Sequence, residues 1–266
     1  MTTLAGSHVL VTGGSRGIGA AFARIAAASG ATVSLIARGE VELRSTAESI
    51  GAQTRWRAVD VRDADALAAA VAQVEVEGGP IDILVSCAGA ALPGRFLEAP
   101  LDEFREQLDL NYLGTVTLLK TVLPGMVDRG HGHVVLTSSV AALMGVVGYT
   151  GYGPAKWAVR GLAETLRYEV EPQGIRIAVL YPPDTDTPGF ALENTRKPPE
   201  TAAISAAIKP VSPERVAAAL ARGIERNREN IAVDALTKVL VRWGSILEPI
   251  ARGSLKRTIA KALAQD

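Results

Sequence analysis

The stretch VLVTGGSRGIGAAFARIA, residues 9–26, restricts the fold more than any other part of the chain. An apolar, β-branched run enters a glycine-rich turn, and a helical pattern follows at once. The glycines Gly13, Gly17 and Gly19 mark a turn that needs unusual φ values and a bare backbone. The helix behind it begins with N–H groups that have no partner of their own. The rest of the chain repeats the strand–helix unit. Apolar runs at 8–12, 32–37, 54–60, 81–86, 133–138 and 175–181 read as strands, and 230–234 reads as a short last one. Several are apolar at nearly every position, as strands covered on both faces are. Between them lie helical segments such as GAAFARIAAASG, DADALAAAVAQVEVEGG and AKWAVRGLAETLRYEVEPQG. The first and third close on glycine, a natural terminator. The expected fold is α/β: a doubly wound parallel sheet, three layers deep, in a single domain.

A chain of 266 residues is long enough to bury a substantial core. Its 28 basic and 28 acidic residues balance, which argues against a nucleic-acid partner. Cys87 is the single cysteine, so no internal disulfide forms, and a reducing compartment is expected. The N-terminus lacks a signal-peptide pattern, and no apolar run reaches about 18 residues. The expected location is cytoplasmic, with peripheral membrane contact as an added reading of the tail.

A turn between a first strand and a helix suits a pyrophosphate, which the helix N-terminus attracts. TGGSRGIG resembles the TGxxxGxG loop of the short-chain dehydrogenase/reductase family, and the Rossmann-type fold follows from that resemblance. Further motifs agree: VDV supplies Asp60 and Val61, and SCAG supplies Ala88 and Gly89 where the family has an NAG-like turn. The resemblance spans roughly residues 5–230. It implies nicotinamide-cofactor contacts from Gly13, Ser15, Arg16, Gly17, Ile18, Gly19, Asp60, Val61, Ala88 and Gly89. Cys87 reads as a small packed residue beside the cofactor. A carboxylate at the end of the second strand would bind a ribose 2′-hydroxyl, but Ala37 stands there and Arg38 follows. Two guanidinium groups, Arg16 and Arg38, suit a 2′-phosphate, so the expected cofactor is NADP(H).

Tyr152 and Lys156 stand at i and i+4 in YTGYGPAKWAV and share a helix face. A nearby ammonium favours the tyrosinate, which otherwise forms only near pH ~10. Ser139 lies upstream, after the fifth strand, and Asn111 sits in DLNYLGT. These match the family's four catalytic residues, Asn111, Ser139, Tyr152 and Lys156. Ser139 would hydrogen-bond the substrate oxygen, and Asn111 would support Lys156 through a water. Tyr152 and Lys156 would also touch the cofactor. Tyr149 is the rival proton donor, but no lysine follows it at four residues. His8, His131 and His133 stand at strand starts and read as solvated loop residues; no metal site is expected. A hydrolase lacks its nucleophile elbow here, and a catalytically silent cofactor-binding protein would not need the intact triad.

YPPDTDTPGF, 181–190, leaves the sixth strand where ligands bind in such sheets. Pro182 and Thr187 align with the family's Pro-Gly-x-x-x-Thr, whose Thr orients the nicotinamide. Thr187 or Asp186 then caps a short lid helix. This stretch with ENTRKPPET resembles the 3-ketodihydrosphingosine reductases, enzymes of sphingolipid metabolism, so a lipid-like ketone is the expected substrate. A 3-oxoacyl or other ketone on the same fold is the alternative.

The family's subunits pair through the helices near Asn111 and Tyr152. Val116, Leu119, Leu162 and Leu166 there lead to an expected homo-oligomer, dimer or tetramer. The main body is read as 1–234, with 235–266 as an amphipathic helical extension. Its Leu236, Val239, Leu240, Trp243 and Leu247 share a face, with Lys238 and Arg242 outside it and Lys256, Arg257 and Lys261 further on. The tail either packs on the sheet or a partner, walls the substrate pocket, or lies on a membrane surface.

Overall fold

The computed structural model describes residues 1–206, 208–244, 246 and 253. Seven strands form one sheet: β1 (His8–Thr12), β2 (Thr32–Ala37), β3 (Arg55–Ala58), β4 (Ile83–Ser86), β5 (Gly132–Thr137), β6 (Ile175–Tyr181) and β7 (Asn230–Ala232). Their order is β3-β2-β1-β4-β5-β6-β7, and every pairing is parallel. The helices are α1 (Gly17–Ala28), α2 (Glu40–Ile50), α3 (Ala64–Gly78), α4 (Leu101–Leu108), α5 (Gly114–Arg129), α6 (Tyr152–Val170), α7 (Pro188–Asn194), α8 (Pro199–Ala206) and α9 (Pro213–Glu225). The strand order reverses between β1 and β4, which opens a crevice at the carboxyl ends of these strands.

Alternation along the strands builds two cores. Val9, Val11, Ile83, Val85, Val135, Ala178 and Leu180 point to one side, where Phe22 of α1, Leu43 of α2 and Leu220 of α9 meet them. Leu10, Leu84, Val134, Leu136, Ile177 and Val179 point to the other, against Leu67 of α3, Leu118 of α5 and Val159 of α6. Both faces are therefore apolar, which explains why the strands read as unbroken hydrophobic runs. Helix ends follow the expected chemistry. Asp63 caps α3 by accepting from Ala66 N at 3.0 Å, and Ser212 caps α9 by accepting from Arg215 N at 3.2 Å. After α6 the chain reverses at Gly174, φ 84°, where a Cβ would lie 2.2 Å from Gly130 O.

Two expectations need correction. His8 and His133 are buried rather than solvated; His131 alone is exposed. The His8 ring bridges Gly79 O at 2.6 Å and Ser34 Oγ at 2.8 Å, tying β1 to β2 and to the end of α3. His133 Nδ1 contacts Thr2 Oγ1 at 3.0 Å. The tail also differs. Asp234 Oδ1 accepts from Thr237 N at 2.7 Å and opens a helical segment, 235–244. Thr237 is buried, and Leu240 and Val241 pack on the α3–α5–α6 core. Leu236, Val239 and Trp243 face outward with Ile246. The proposed apolar face is thus split, because Leu240 turns toward the body. Leu247, Lys256, Arg257 and Lys261 lie outside the described residues. No described helix is long and apolar enough to cross a membrane.

Burial, with Arg176 and His131 adding to it, pushes the His133 pKa from 6.5 down to about 4. The unfolded chain then binds the extra proton first as pH falls, so stability must decline between pH 6.5 and about 4. Urea midpoints measured across that window should fall with pH, and His133→Gln should flatten the slope. An unchanged slope would show that His133 does not carry it.

Candidate active site

The glycine turn is packed backbone to backbone. Gly13 (φ 69°) and Gly17 (φ 58°) adopt left-handed conformations. A Cβ on Gly13 would lie 2.7 Å from Ala88 N, and one on Gly19 would lie 2.4 Å from Gly13 O. Ser15 is fixed by Thr46, whose hydroxyl donates to its carbonyl at 2.7 Å, and Ile18 packs on the core below. Arg16 is the N-cap of α1, yet no side chain caps the helix and no acid sits in its first turn. Free N–H groups and an uncompensated positive helix end make an anion cradle. The residues present therefore fit a dinucleotide pyrophosphate.

The edge of the sheet beside the end of β2 carries two exposed guanidinium groups. Arg16 and Arg38 are exposed beside the turn and the end of β2. Asp60 lies 3.8 Å from Arg38 and is gripped by Arg62 at 2.6 Å. The Arg62 hydrogen bond holds the Asp60 carboxyl below the usual carboxylate range despite its partial burial. Val61 is buried under Gly114, where a Cβ would meet it at 2.8 Å.

The candidate catalytic side chains assemble at the ends of β4 and β5. Lys156 is buried on the first turns of α6, and its Nζ donates to Thr137 O at 3.0 Å. The same Nζ stands 5.6 Å from the Tyr152 ring centroid. Gly89 separates Lys156 from Asn111: a Cβ there would lie 3.1 Å from Nζ and 2.6 Å from Asn111 Oδ1. Asn111 sits in a π-helical turn, Asp109–Leu113, between α4 and α5. Its amide donates to Ala90 O at 2.9 Å and Gln107 O at 2.8 Å, and its Oδ1 accepts from Ala90 N at 3.3 Å. The Asn111 side chain thereby fixes the loop after β4. Ser138 spends its hydroxyl on Lys156 O at 2.8 Å, which leaves Ser139 as the serine facing Tyr152. Ser139 Oγ also accepts from Ala141 N at 3.1 Å. Cys87 packs against Thr137 at 3.4 Å, with burial pushing its thiol up, as the packed reading expects.

Burial dominates the electrostatics. It pushes the Tyr152 phenol up, and Glu193 and Asp184 add to this, while Ser139 opposes it. The expected lowering of Tyr152 by Lys156 does not emerge, because Lys156 is itself driven down to about 8 by burial. Tyr149 is pushed up further, and its hydroxyl is committed to Glu193. That commitment sets it apart from Tyr152 as a proton donor.

The stretch after β6 closes the site. Pro182 O accepts from Val140 N at 3.2 Å, joining the Ser139 turn to the lid. Asp186 N donates to Val211 O, and Val211 N to Asp184 O, both at 2.9 Å. Thr187, not Asp186, caps α7: its Oγ1 accepts from Phe190 N at 3.0 Å. Thr187 Cγ2 lies 3.0 Å from where a Gly17 Cβ would be, so the lid hinge touches the glycine turn. Arg95 grips Glu200 of α8 through two bonds, at 3.0 and 3.1 Å, and anchors the far end of the lid. Sequence reasoning missed this pair and the group formed by Asp184, Glu193 and Lys197. Only the i,i+4 spacing of Glu193 and Lys197 signalled any part of it.

The family model for short chain dehydrogenase matches residues 7–198. A 3-ketodihydrosphingosine reductase from Dictyostelium discoideum is 39% identical over 257 residues, 89% of this chain and 77% of that protein. A 3-dehydrosphinganine reductase from Danio rerio is 42% identical over 222 residues, 80% of this chain and 67% of that protein. A ketoacyl reductase from Nostoc sp. is 31% identical over 255 residues, 92% of this chain and 87% of that protein. Among solved structures, levodione reductase superposes with a TM-score of 0.80 at 24% identity, over 88% of this chain and 97% of that one, and shares the fold. The glycine turn, the Ser139–Tyr152–Lys156 centre and these matches agree: the chain belongs to the short-chain dehydrogenase/reductase family, nicotinamide-dependent oxidoreductases acting on CH–OH and C=O groups.

Proposed function

We propose that the protein reduces a long-chain 3-ketone, 3-ketosphinganine, to sphinganine with NADPH. The observation that carries the chemistry is the buried Lys156 ammonium, held by Thr137 O beside the Tyr152 ring. Burial keeps the Tyr152 phenol protonated, so it can donate to a carbonyl oxygen as negative charge builds there. Ser139 donates a hydrogen bond to the same oxygen. Lys156 stabilises the tyrosinate left behind, and Asn111 holds the loop that packs against both. When bound, the reduced nicotinamide supplies the hydride to the carbonyl carbon. The residues that would hold it are Gly13, Ser15, Arg16, Gly17, Ile18 and Gly19 at the pyrophosphate; Arg38, Asp60 and Val61 at the adenosine; and Ala88, Gly89, Tyr152, Lys156, Pro182 and Thr187 at the nicotinamide.

The similarity to sphingoid-ketone reductases supports the substrate. So do Phe96, Leu97 and Leu192, exposed apolar side chains on the Arg95 loop and the lid, which suit an alkyl chain. The Nostoc relative favours a second reading, a 3-oxoacyl substrate. Turnover of 3-ketosphinganine beside a 3-oxoacyl thioester decides between them: preference for the thioester overturns the first reading.

The helical segment 235–244 belongs to the same domain in this reading, the rest of 235–266 lying largely outside the described residues, and the protein is cytoplasmic and peripheral at membranes. Leu236, Val239, Trp243 and Ile246 supply the apolar contact. The subunits pair through exposed Leu108, Leu113 and Trp157, with Val116, Leu162 and Leu166 beside them; Leu119 is spent in the core. Full-length protein should scatter light as at least a dimer and sediment with anionic liposomes, whereas truncation after Asp234 should abolish sedimentation alone. A fully active monomer, or sedimentation that survives truncation, contradicts these assignments.

Tyr152→Phe should abolish turnover while weakening cofactor affinity far less than Lys156→Ala, which should impair both. Near-normal turnover by Tyr152→Phe would move the proton donor elsewhere.

Arg16 and Arg38 should favour NADPH over NADH at least tenfold, about 1.4 kcal/mol. Titration of Arg38→Ala should show most of that preference gone with NADH affinity little changed. Equal loss for both cofactors would assign Arg38 a structural role.

A further inference from the structure

Beside Tyr152 lies a polar cluster that carbonyl reduction itself does not require. Glu193, on the lid helix α7, accepts a hydrogen bond from the Tyr149 hydroxyl. The same oxygen, Oε1, lies 3.3 Å from Lys197 Nζ, whose side chain is only 1% exposed. Lys197 also donates to Ser205 Oγ at 3.0 Å and stands 4.2 Å from the Phe190 ring centroid. Ser205 in turn donates to Asp184 Oδ2 at 3.3 Å. A carboxylate, a hydroxyl and an aromatic face thus surround one primary ammonium, with a second carboxylate behind the hydroxyl. This is the chemistry of a cage for alkylammonium groups.

The cage adjoins the reacting centre. The Tyr149 and Tyr152 rings are 5.9 Å apart, and the charges of both Glu193 and Asp184 reach the Tyr152 phenol, that of Glu193 more strongly. Glu193 also has room for another donor. Both of its contacts fall on Oε1, its side chain keeps 16% exposure, and among the described residues Oε2 makes no bond. A sphingoid ketone carries its primary ammonium on the carbon next to the carbonyl. Once Tyr152 and Ser139 hold the carbonyl oxygen, that ammonium lies within a few ångströms of them. A 3-oxoacyl thioester has no cation there.

Resting on the substrate class proposed above, we propose that Glu193, backed by Asp184, is the specificity residue that receives the ammonium of a 2-amino-3-ketone. Burial pushes the Glu193 carboxyl up, and Lys197 is the resident cation that opposes this and holds the group in place. The lid therefore reads the amine, while Ser139 and Tyr152 read the ketone.

The test compares a soluble, chain-shortened 2-amino-1-hydroxy-3-ketone with its amine-free analogue, using wild type and Glu193→Gln, each saturated with reduced cofactor. Wild type should favour the amine-bearing ketone more than tenfold in kcat/KM. Glu193→Gln should raise KM for that ketone at least tenfold and change KM for the analogue less than twofold. Unchanged cofactor affinity verifies the fold of the variant. Parallel changes for both ketones, or no change for either, overturn the assignment. A second arm needs no turnover: calorimetry of the chain-matched 2-amino alcohol binding to the cofactor complex. Tenfold weaker binding to Glu193→Gln supports ammonium recognition even if the physiological ketone proves to be another. Equal binding to both proteins, or none to wild type, overturns it. Failure of the proposed function alone would appear differently, as amine-dependent binding without reduction of either ketone.

Discussion

Keeping a lysine ammonium inside the protein is the constraint on which the reacting centre depends. A buried charge is costly unless it is hydrogen-bonded, and the low pKa of Lys156 records that cost. Thr137 O meets it from the end of β5, while Gly89 leaves the space that any larger residue would fill. Ser138 ties the backbone of α6 to the same strand end, so the first turns of the helix cannot drift. The strand order places β4 beside β5, which brings the Gly89 loop and the Thr137 carbonyl together. Asn111 then locks the loop from a π-helical turn, a local break in helix geometry of the kind found at functional sites. Fold, helix irregularity and buried charge are one arrangement.

The segment after β6 links this centre to the cofactor cradle and to the lid. Prolines at 182, 183 and 188 restrict the chain where it must pass three partners in succession. Pro182 O receives the Ser139 turn, Asp184 and Asp186 pair with Val211, and Thr187 both caps α7 and touches Gly17. The far end of the lid is held independently by Arg95 and Glu200, and by Arg196 with Glu103 at 2.6 Å. The segment beside Tyr152 is therefore pinned at both ends.

What the sequence made legible was local. Strands read clearly because both faces of the sheet are apolar; Gly13 and Gly17 read clearly because their left-handed conformations admit little else, and Gly19 because a side chain there would strike Gly13 O. Tyr152 and Lys156 share a helix face by spacing alone. What stayed hidden depends on distant partners. His8 and His133 stand at strand starts, where solvent is the ordinary neighbour, yet Ser34, Gly79 and Thr2 enclose them. The tail showed one apolar stripe, but the body claims Leu240 from it. Asp184, Glu193, Lys197 and Ser205 come from the loop after β6, from α7, from the turn that follows it and from α8, and carried no joint signature. The Tyr152 pKa also escaped sequence reasoning, since helical spacing gives the neighbour but not the depth of burial.

In the proposed reaction the reduced nicotinamide passes a hydride to the ketone carbon of a sphingoid base while Tyr152, with Ser139 and Lys156, protonates the oxygen. The direct measurement is a single turnover of 3-ketosphinganine with NADPH deuterated at the transferred C4 position, followed by mass analysis of the product. The account predicts sphinganine carrying one deuterium on the former carbonyl carbon. Unchanged ketone, or an alcohol without deuterium at that carbon, would contradict it.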